Sequence, residues 1–305
     1  MEWSLTKTEV GFHPPYPNAK EKLRELKTEI ERVPELFKYA ARHVNPCEYL
    51  STDHPVISRA YFKMYEALMR YEPEVNEVCN AVFLCEAPGG FQQATEDWMR
   101  KKHSHSAFLW HAVTLPQAIR WEGHRGSIIY ADITKDSLPP SCFNATIVTG
   151  DGGFDCDDLN RQEELNYPLI ESQMLKGLDI LQSGGTLFVK MYDLFEASTK
   201  ALIIEMSRRF ERSYILKPWG SRICNSERYF VGIRRLPHDI SSIPPAILTV
   251  ERLDQIASDY AKVQISALER ALSLCRVPGA VTDSFKLESE KQREIRKNVS
   301  RLLGV

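Results

Sequence analysis

The sequence predicts an α/β protein in which a mostly parallel sheet carries helices on both faces. From Ala81 onward, short apolar runs alternate with stretches of helical periodicity, which is typical of strand–helix–strand units. The first apolar run ends in an acid and a Pro-Gly-Gly turn that leads into a helix. Open parallel sheets build a ligand crevice at such a point. Seven apolar runs occur, and the last two are too close together for a long helix between them.

The elements before the sheet are an arm and three helices. Residues 1 to about 18 are rich in proline and aromatic residues, so we expect an extended arm. Apolar residues at helical spacing predict an amphipathic helix over residues 20–33, and Pro34 starts a shorter second helix. A loop over residues 45–55 then leads to a third helix over residues 58–69.

The sheet region follows from the apolar runs and from the helical spacing between them. The predicted strands are residues 82–85, 108–113, 127–130, 146–149, 185–191, 213–217 and 228–234. The predicted helices between them are residues 92–101, 163–181 and 196–210. Together they predict a Rossmann-like sheet of seven strands with helices on both faces.

A proline-rich stretch, residues 237–245, ends the sheet region. Beyond it, residues 248–274 suit one long helix or a broken pair, and residues 285–303 predict a highly charged helix. The sequence thus divides into an N-terminal arm with a helical extension (1–50), an α/β domain (51–236) and a C-terminal helical extension (237–305). The terminal helices can pack on the core, self-associate or dock a protein partner, and composition does not choose among these.

Composition excludes several classes of protein. The formal net charge is −2, so any nucleic-acid surface must be a local patch. No apolar run approaches the roughly 20 residues of a membrane span, and the N-terminus lacks a signal-peptide pattern. Seven cysteines without a C-x-x-C pair favour a reducing compartment and no structural zinc. We therefore expect an intracellular protein, cytoplasmic or nuclear and not secreted, with no membrane contact and no metal.

The turn after the first strand is the first candidate site. It comprises Glu86, Ala87, Pro88, Gly89, Gly90 and Phe91. Glycines without Cβ let a ligand approach the backbone, and the helix that follows presents unpaired N–H groups. The turn matches neither G-x-G-x-x-G nor the P-loop pattern, which disfavours a nicotinamide oxidoreductase and a P-loop nucleotide enzyme.

Charged residues stand at the ends of three predicted strands. Asp151 follows a buried strand, where it faces the ligand crevice or forms a plain Asp-Gly turn. Lys190 interrupts an apolar strand, and a buried ammonium is costly unless paired, so Lys190 is the strongest single-residue signal for function. Glu227 precedes the last strand, and Lys63 lies on the third helix. Taken alone, each of these two fits an exposed position.

The conjunction of these four residues carries a family resemblance. In order and local context, Lys63, Asp151, Lys190 and Glu227 resemble the Lys-Asp-Lys-Glu tetrad of the FtsJ-like RNA ribose 2′-O-methyltransferases. The glycine turn resembles the first motif of that family, and its wording, Cys-Glu-Ala-Pro-Gly-Gly-Phe, is most similar to the mRNA cap branch. The resemblance covers roughly residues 51–235.

The resemblance implies S-adenosylmethionine as the cofactor. It would lie over the glycine turn, with its amino-acid end held by backbone groups there and by Asp151. Asp132 matches the acid that accepts a hydrogen bond from the adenine amino group. The second strand ends without an acid, so the ribose would rest on backbone groups near Thr114 and Leu115. The implied cofactor-binding residues are Glu86, Ala87, Pro88, Gly89, Gly90, Phe91, Thr114, Leu115, Asp132 and Asp151.

The resemblance also implies a mechanism. Lys190 orients the ribose 2′-hydroxyl and accepts its proton, which requires a pKa brought toward neutrality. The ammonium of Lys63 would lower that pKa by like-charge repulsion. Asp151 and Glu227 would hold the two lysines, and their negative charge opposes the shift, so the sequence leaves the net direction open.

RNA contact is implied for residues that flank this constellation. They are Arg59, Tyr192, Ser221, Arg222, Asn225 and Ser226. A cap-proximal enzyme must also bind a methylated guanine, usually by aromatic stacking. The candidates for stacking are Trp3, Trp121, Tyr192 and Trp219, among which the sequence does not choose.

The sequence therefore predicts an RNA ribose 2′-O-methyltransferase that uses S-adenosylmethionine and acts on the first transcribed nucleotide of capped mRNA. A ribosomal or transfer RNA ribose methyltransferase is the alternative within the class. A non-catalytic RNA-binding or scaffold subunit with the same fold is the alternative from another class. The complete tetrad argues against the latter, because a retired site has no reason to retain a costly strand lysine.

Overall fold

Buried apolar residues form the strands at the centre of the protein, and those strands build one mixed sheet. The structure is a computed structural model that describes residues 2–4, 16–116, 127–237, 248–277 and 290–304. Within these residues the sheet has eight strands in the order β1-β7-β8-β6-β5-β2-β3-β4. The strands are β1 Glu2–Ser4, β2 Val78–Leu84, β3 Ala107–Thr114, β4 Ser127–Tyr130, β5 Ala145–Gly150, β6 Leu181–Met191, β7 Phe210–Leu216 and β8 Arg228–Arg235.

The seven predicted strands are all present, and the arm adds an eighth. Strands β4, β3, β2, β5 and β6 are parallel, whereas β8, β7 and β1 join by antiparallel pairing. The edge strand β1 pairs with β7 from Glu2 opposite Leu216 to Ser4 opposite Tyr214. The order of the sheet reverses at β2, whose neighbours are β3 and β5. A ligand crevice is therefore expected outside the carboxyl ends of β2 and β5.

Eight α-helices are described. They are α1 Ala19–Ile30, α2 Pro34–Val44, α3 Ala60–Tyr71, α4 Gly90–Lys102, α5 Gln162–Ile180, α6 Ala197–Ser207, α7 Val250–Cys275 and α8 Glu290–Leu303. The prediction for α6 ran too far, because Phe210 is buried in the sheet as the first residue of β7. The stretch after the sheet forms one long helix, α7, rather than a broken pair. Residues 5–15, 117–126, 238–247 and 278–289 lie outside the described residues. They include most of the predicted arm, Trp121, most of the proline-rich stretch and the first residues of the predicted last helix.

The strands bury both of their faces, as central strands of a parallel sheet do. In β2, Val82 and Leu84 join an apolar cluster with α5, α6 and α7. Ala81 and Phe83 point the other way, into a cluster with α3, α4 and α8. This alternation fixes the register of β2 and so the place where the glycine turn emerges.

The N- and C-terminal helices share a third apolar cluster. Leu23 and Leu26 of α1, Ala40 of α2, and Ile265 and Leu268 of α7 are buried against one another. The terminal helices therefore pack on the protein itself, and docking of a partner or self-association through them stays a prediction. Among the residues described, no helix is long and apolar enough to cross a membrane, and no cluster of side chains has the make-up of a metal site.

Candidate active site

The glycine turn lies at the carboxyl end of β2 and opens α4. Gly89 adopts φ 116°, a left-handed conformation that residues other than glycine rarely adopt. Gly90 packs against the start of α3, where an added Cβ would lie 3.1 Å from Cβ of Ala60 and 3.2 Å from the backbone nitrogen of Tyr61. The turn therefore brings α3, which carries Lys63, beside the crevice.

Glu86 supplies a buried carboxyl group to this turn. One oxygen accepts a hydrogen bond from the backbone N–H of Phe91, and the other, Oε2, has no partner among the described residues. Burial, together with the negative charge of Asp151, holds the pKa of Glu86 well above its usual range. A buried acceptor without a donor costs free energy, so this oxygen is suited to a cationic or N–H donor on a ligand.

The carboxyl ends of β3 and β4 border the same crevice. The carbonyl of Thr114 accepts from the backbone N–H of Ala131 at 3.0 Å, and Leu115 is 49% exposed. Asp132 accepts hydrogen bonds from the side chain and backbone of Thr134 at 2.6 and 3.0 Å and pairs with Lys135 at 2.9 Å. These contacts hold the pKa of Asp132 well below its usual range, and the hydrogen bond from the Thr134 hydroxyl has the largest effect. Asp132 is therefore an ionised hydrogen-bond acceptor.

The predicted tetrad forms two adjacent ion pairs. The Lys63 ammonium lies 2.8 and 2.9 Å from the two carboxylate oxygens of Glu227. The Lys190 ammonium donates to the backbone carbonyl of Asp151 at 2.6 Å and lies 3.4 Å from its carboxylate. All four side chains are 11–16% exposed, so both pairs are shielded from bulk water. Four residues from distant parts of the sequence are thus brought together at the ends of the strands.

Tyr229 connects the two pairs, and the sequence analysis did not identify it. Its fully buried hydroxyl donates to the Asp151 carboxylate at 2.9 Å, and the Lys63 ammonium lies 5.9 Å from its ring centroid. Tyr229 stands directly opposite Lys190 in the β6–β8 register and stacks on Phe188 at 4.4 Å. An aromatic residue in a strand usually signals only a core position, so the sequence carried no distinguishing sign.

The electrostatics differ from the predicted mechanism. Burial alone would lower the pKa of Lys190, but the carboxylates of Asp151 and Glu227 outweigh it, and the pKa lies above that of an ordinary lysine. The ammonium of Lys63, expected to lower that pKa, is neutralised by Glu227. Burial would raise the pKa of Glu227, but Lys63, Lys190 and Lys217 lower it to about 2. The resting site thus holds two charged pairs.

The predicted RNA-binding arginines share one acid. Arg222 makes two hydrogen bonds to the Glu48 carboxylate at 2.8 and 3.1 Å. Arg59 lies 3.4 Å from the same carboxylate and donates to the carbonyl of Gly220 at 2.9 Å. Each guanidinium side chain is still 34% exposed, so both can face a ligand.

Two of the other predicted RNA contacts, Ser221 and Ser226, lie deeper. Ser221 and Ser226 are buried, and their hydroxyls have protein partners, Asn225 for the first and Gln264 for the second. Asn225 is exposed, but its side-chain oxygen accepts from Lys217 at 2.5 Å.

Of the predicted stacking residues, Tyr192 is buried. Trp219 is 38% exposed, and its backbone N–H donates to Glu66. The side chains of Trp3 and Trp121 lie outside the described residues. Trp219 is therefore the described candidate best placed to meet a base.

Comparisons with known proteins agree with this geometry. The family model described as FtsJ-like methyltransferase matches residues 56–235. A probable methyltransferase of African swine fever virus, EP424R, is 32% identical over 215 residues in a Kenyan isolate, which covers 59% of this chain and 50% of the relative. In a Namibian isolate it is 30% identical over 254 residues, covering 72% and 57%. This chain thus spans little more than half the length of these relatives.

A cellular protein is also similar. The cap-specific mRNA (nucleoside-2′-O-)-methyltransferase 2 of Drosophila melanogaster is 28% identical over 205 residues, which covers 57% of this chain and 29% of the relative. The matched family region contains the glycine turn, both ion pairs and Tyr229.

Proposed function

This chain belongs to the FtsJ-like methyltransferase family, and from that premise we propose that it methylates the 2′-hydroxyl of a ribose in RNA. The proposal depends on two ion pairs beside the carboxyl end of β2. Lys63 pairs with Glu227, and Lys190 pairs with Asp151. Their shielding from water and their link through Tyr229 give a site that can orient one hydroxyl group.

The residues of the crevice fit S-adenosylmethionine. When bound, S-adenosylmethionine would supply an electrophilic methyl group on its sulfonium. The carboxyl oxygen of Glu86 that has no partner among the described residues can accept a hydrogen bond from the cofactor. The backbone at Gly89 is accessible to a ligand because glycine has no Cβ to cover it. Asp132 is an ionised acceptor at the β4 end, where an adenine amino group can donate. Together with Ala87, Pro88, Gly90, Phe91, Thr114, Leu115 and Asp151, these residues are the proposed cofactor site.

Lys190 is the proposed base and orienting group. In the resting site its ammonium form is favoured, so it can first donate a hydrogen bond to the ribose oxygen. To act as the base, the Lys190 ammonium must first release a proton to water, which leaves a neutral amine that can take the hydroxyl proton. Methyl transfer should therefore become faster as the pH rises. Asp151 fixes the amine through its backbone carbonyl, whose hydrogen bond does not depend on the state of the carboxylate.

The proposed substrate is the first transcribed nucleotide of capped mRNA. The names of cellular and viral relatives support it, among them the cap-specific methyltransferase of Autographa californica nuclear polyhedrosis virus, 30% identical over 138 residues. Arg59 and Arg222 are the proposed phosphate contacts, and such an enzyme would work in the cytoplasm or the nucleus. The similarity to cap-specific proteins favours this substrate over ribosomal or transfer RNA.

Methyl transfer from labelled S-adenosylmethionine to short capped and uncapped RNA tests the proposal, followed by mapping of the modified sugar. We expect a 2′-O-methyl group on the first transcribed nucleotide and the loss of most activity without the cap. Equal activity on both RNAs would point to another RNA class. No transfer to any RNA, with the cofactor bound, would indicate a non-catalytic subunit.

A further inference from the structure

A third buried lysine lies beneath the active site, and nothing in the mechanism so far uses it. Lys217 follows directly after β7 and is 7% exposed. Its ammonium donates to the backbone carbonyl of Glu227 at 2.7 Å and to the carbonyl and side-chain oxygens of Asn225 at 2.8 and 2.5 Å. Three acceptors around a group with three N–H bonds match the charged form of a lysine.

These acceptors belong to the segment that ends in Glu227. We define this segment as the 219–227 loop, which connects β7 to β8. We propose that Lys217 is a positioning residue: by clamping the carbonyls of Asn225 and Glu227, it fixes the 219–227 loop so that the Glu227 carboxylate meets the Lys63 ammonium. The inference rests on the proposed function, because it assigns a role in the same reaction.

The loop is held on its other sides by contacts that do not involve Lys217, among them the ion pair of Arg222 with Glu48. Gln264 of α7 donates to the carbonyl of Cys224 at 3.1 Å and to the hydroxyl of Ser226 at 3.3 Å. Trp219 donates its backbone N–H to Glu66 of α3 at 2.6 Å. Because these anchors do not involve Lys217, removal of its amine should loosen the Glu227 end of the loop without unfolding the domain.

The charge environment of Lys217 explains why its state matters. Burial, together with the positive charges of Arg228 and Lys63, lowers the pKa of Lys217 to about 7. The carboxylates of Glu227 and Asp193 oppose this shift. A neutral amine has only two N–H bonds and a lone pair, so it cannot donate to all three acceptors at once. The clamp therefore weakens as the pH rises above about 7.

The test compares Lys217→Met with Lys200→Met in the full chain. Lys200 is a matched control because its side chain is also largely shielded, 13% exposed, and its amine pairs at 2.5 Å with Asp254 of α7, outside the loop. Three quantities are measured: the single-turnover rate of methyl transfer to capped RNA, the Kd of S-adenosylmethionine, and amide hydrogen exchange in the 219–227 loop.

We expect Lys217→Met to lower the rate on the order of 10²-fold, the size of effect that a displacement of about 1 Å produces, with the cofactor Kd unchanged. Loop amides should exchange faster in this variant, whereas Lys200→Met should leave both the rate and loop exchange near wild type. Wild-type rates should also stop rising with pH near the pKa of Lys217, about 7, and Lys217→Met should lose that break.

An unchanged rate and unchanged loop exchange in Lys217→Met would overturn the inference, and so would equal losses in both lysine variants. Should Lys217→Met not fold, Asn225→Ala removes one acceptor from an exposed position and should still accelerate loop exchange. If wild-type protein transfers no methyl group to RNA, the proposed function fails, and loop exchange alone decides whether Lys217 holds the loop.

Discussion

Two shielded lysines at the ends of β6 and β7, the strands on either side of β8, have pKa values shifted in opposite directions. Lys190 faces the Asp151 and Glu227 carboxylates, and its pKa lies above that of an ordinary lysine. Lys217 donates hydrogen bonds to neutral oxygens of Asn225 and Glu227, and burial lowers its pKa to about 7. Burial therefore does not by itself set the state of an active-site lysine. The balance between burial and nearby carboxylates decides it: Asp151 and Glu227 outweigh burial at Lys190, whereas Glu227 and Asp193 do not outweigh it at Lys217.

Of the substitutions that probe the two lysines, Glu227→Gln should have the largest effect, because the Glu227 carboxylate raises the pKa of both Lys190 and Lys217. The substitution also leaves the Lys63 ammonium shielded and without its counter-charge. Loss of one partner of such a pair should lower the free energy of unfolding by about 3 kcal/mol. Urea denaturation measures it, with Glu211→Gln as a control, since the contacts of Glu211 are exposed. Equal stability in both variants would mean that the Lys63 pair is not shielded.

A smaller effect should appear in the pH dependence of stability. Between pH 7 and the ordinary lysine range, the unfolded chain binds a proton at Lys217 that the folded chain lacks. Stability therefore rises with pH in this window. Relative to Lys217→Met, the wild-type unfolding free energy should gain about 2 kcal/mol between about pH 7.5 and about pH 9. Parallel pH dependences in the two proteins would contradict the lowered pKa of Lys217.

The smallest effect should come from Tyr229→Phe, which removes one hydrogen bond to Asp151 and leaves the Lys217 contacts intact. A hydrogen bond to a charged group contributes about 1.5–3 kcal/mol, so methyl transfer should fall about tenfold or more. Single-turnover kinetics at saturating cofactor measure this loss. Wild-type kinetics in the variant would show that Tyr229 only packs against Phe188.

The sequence predicted the site as far as local patterns reach. Lys190 is visible because it interrupts an apolar strand, and the glycine turn because it links a strand to a helix. Lys217 ends an apolar run in the same manner, but nothing local separates a loop clamp from an ordinary strand end. The role of Tyr229 depends on the β6–β8 register, which places it opposite Lys190.

Long-range partners account for the other differences. The direction of the Lys190 pKa shift, which the sequence left open, depends on the distances to the carboxylates, and Glu227 neutralises the like charge of Lys63. Likewise, Glu48 lies 174 positions before Arg222 in the sequence, so its pairing with that arginine is a product of folding. The strand β1 has too few residues to produce a periodic signal.

The claim that Lys190 performs the chemistry is tested most directly by Lys190→Ala, with methyl transfer to capped RNA and cofactor binding measured on the same preparation. A base that also orients the hydroxyl should accelerate methyl transfer by about 10²–10⁴-fold. The account predicts a loss of this size with cofactor affinity close to wild type. Substantial methylation by Lys190→Ala would contradict it.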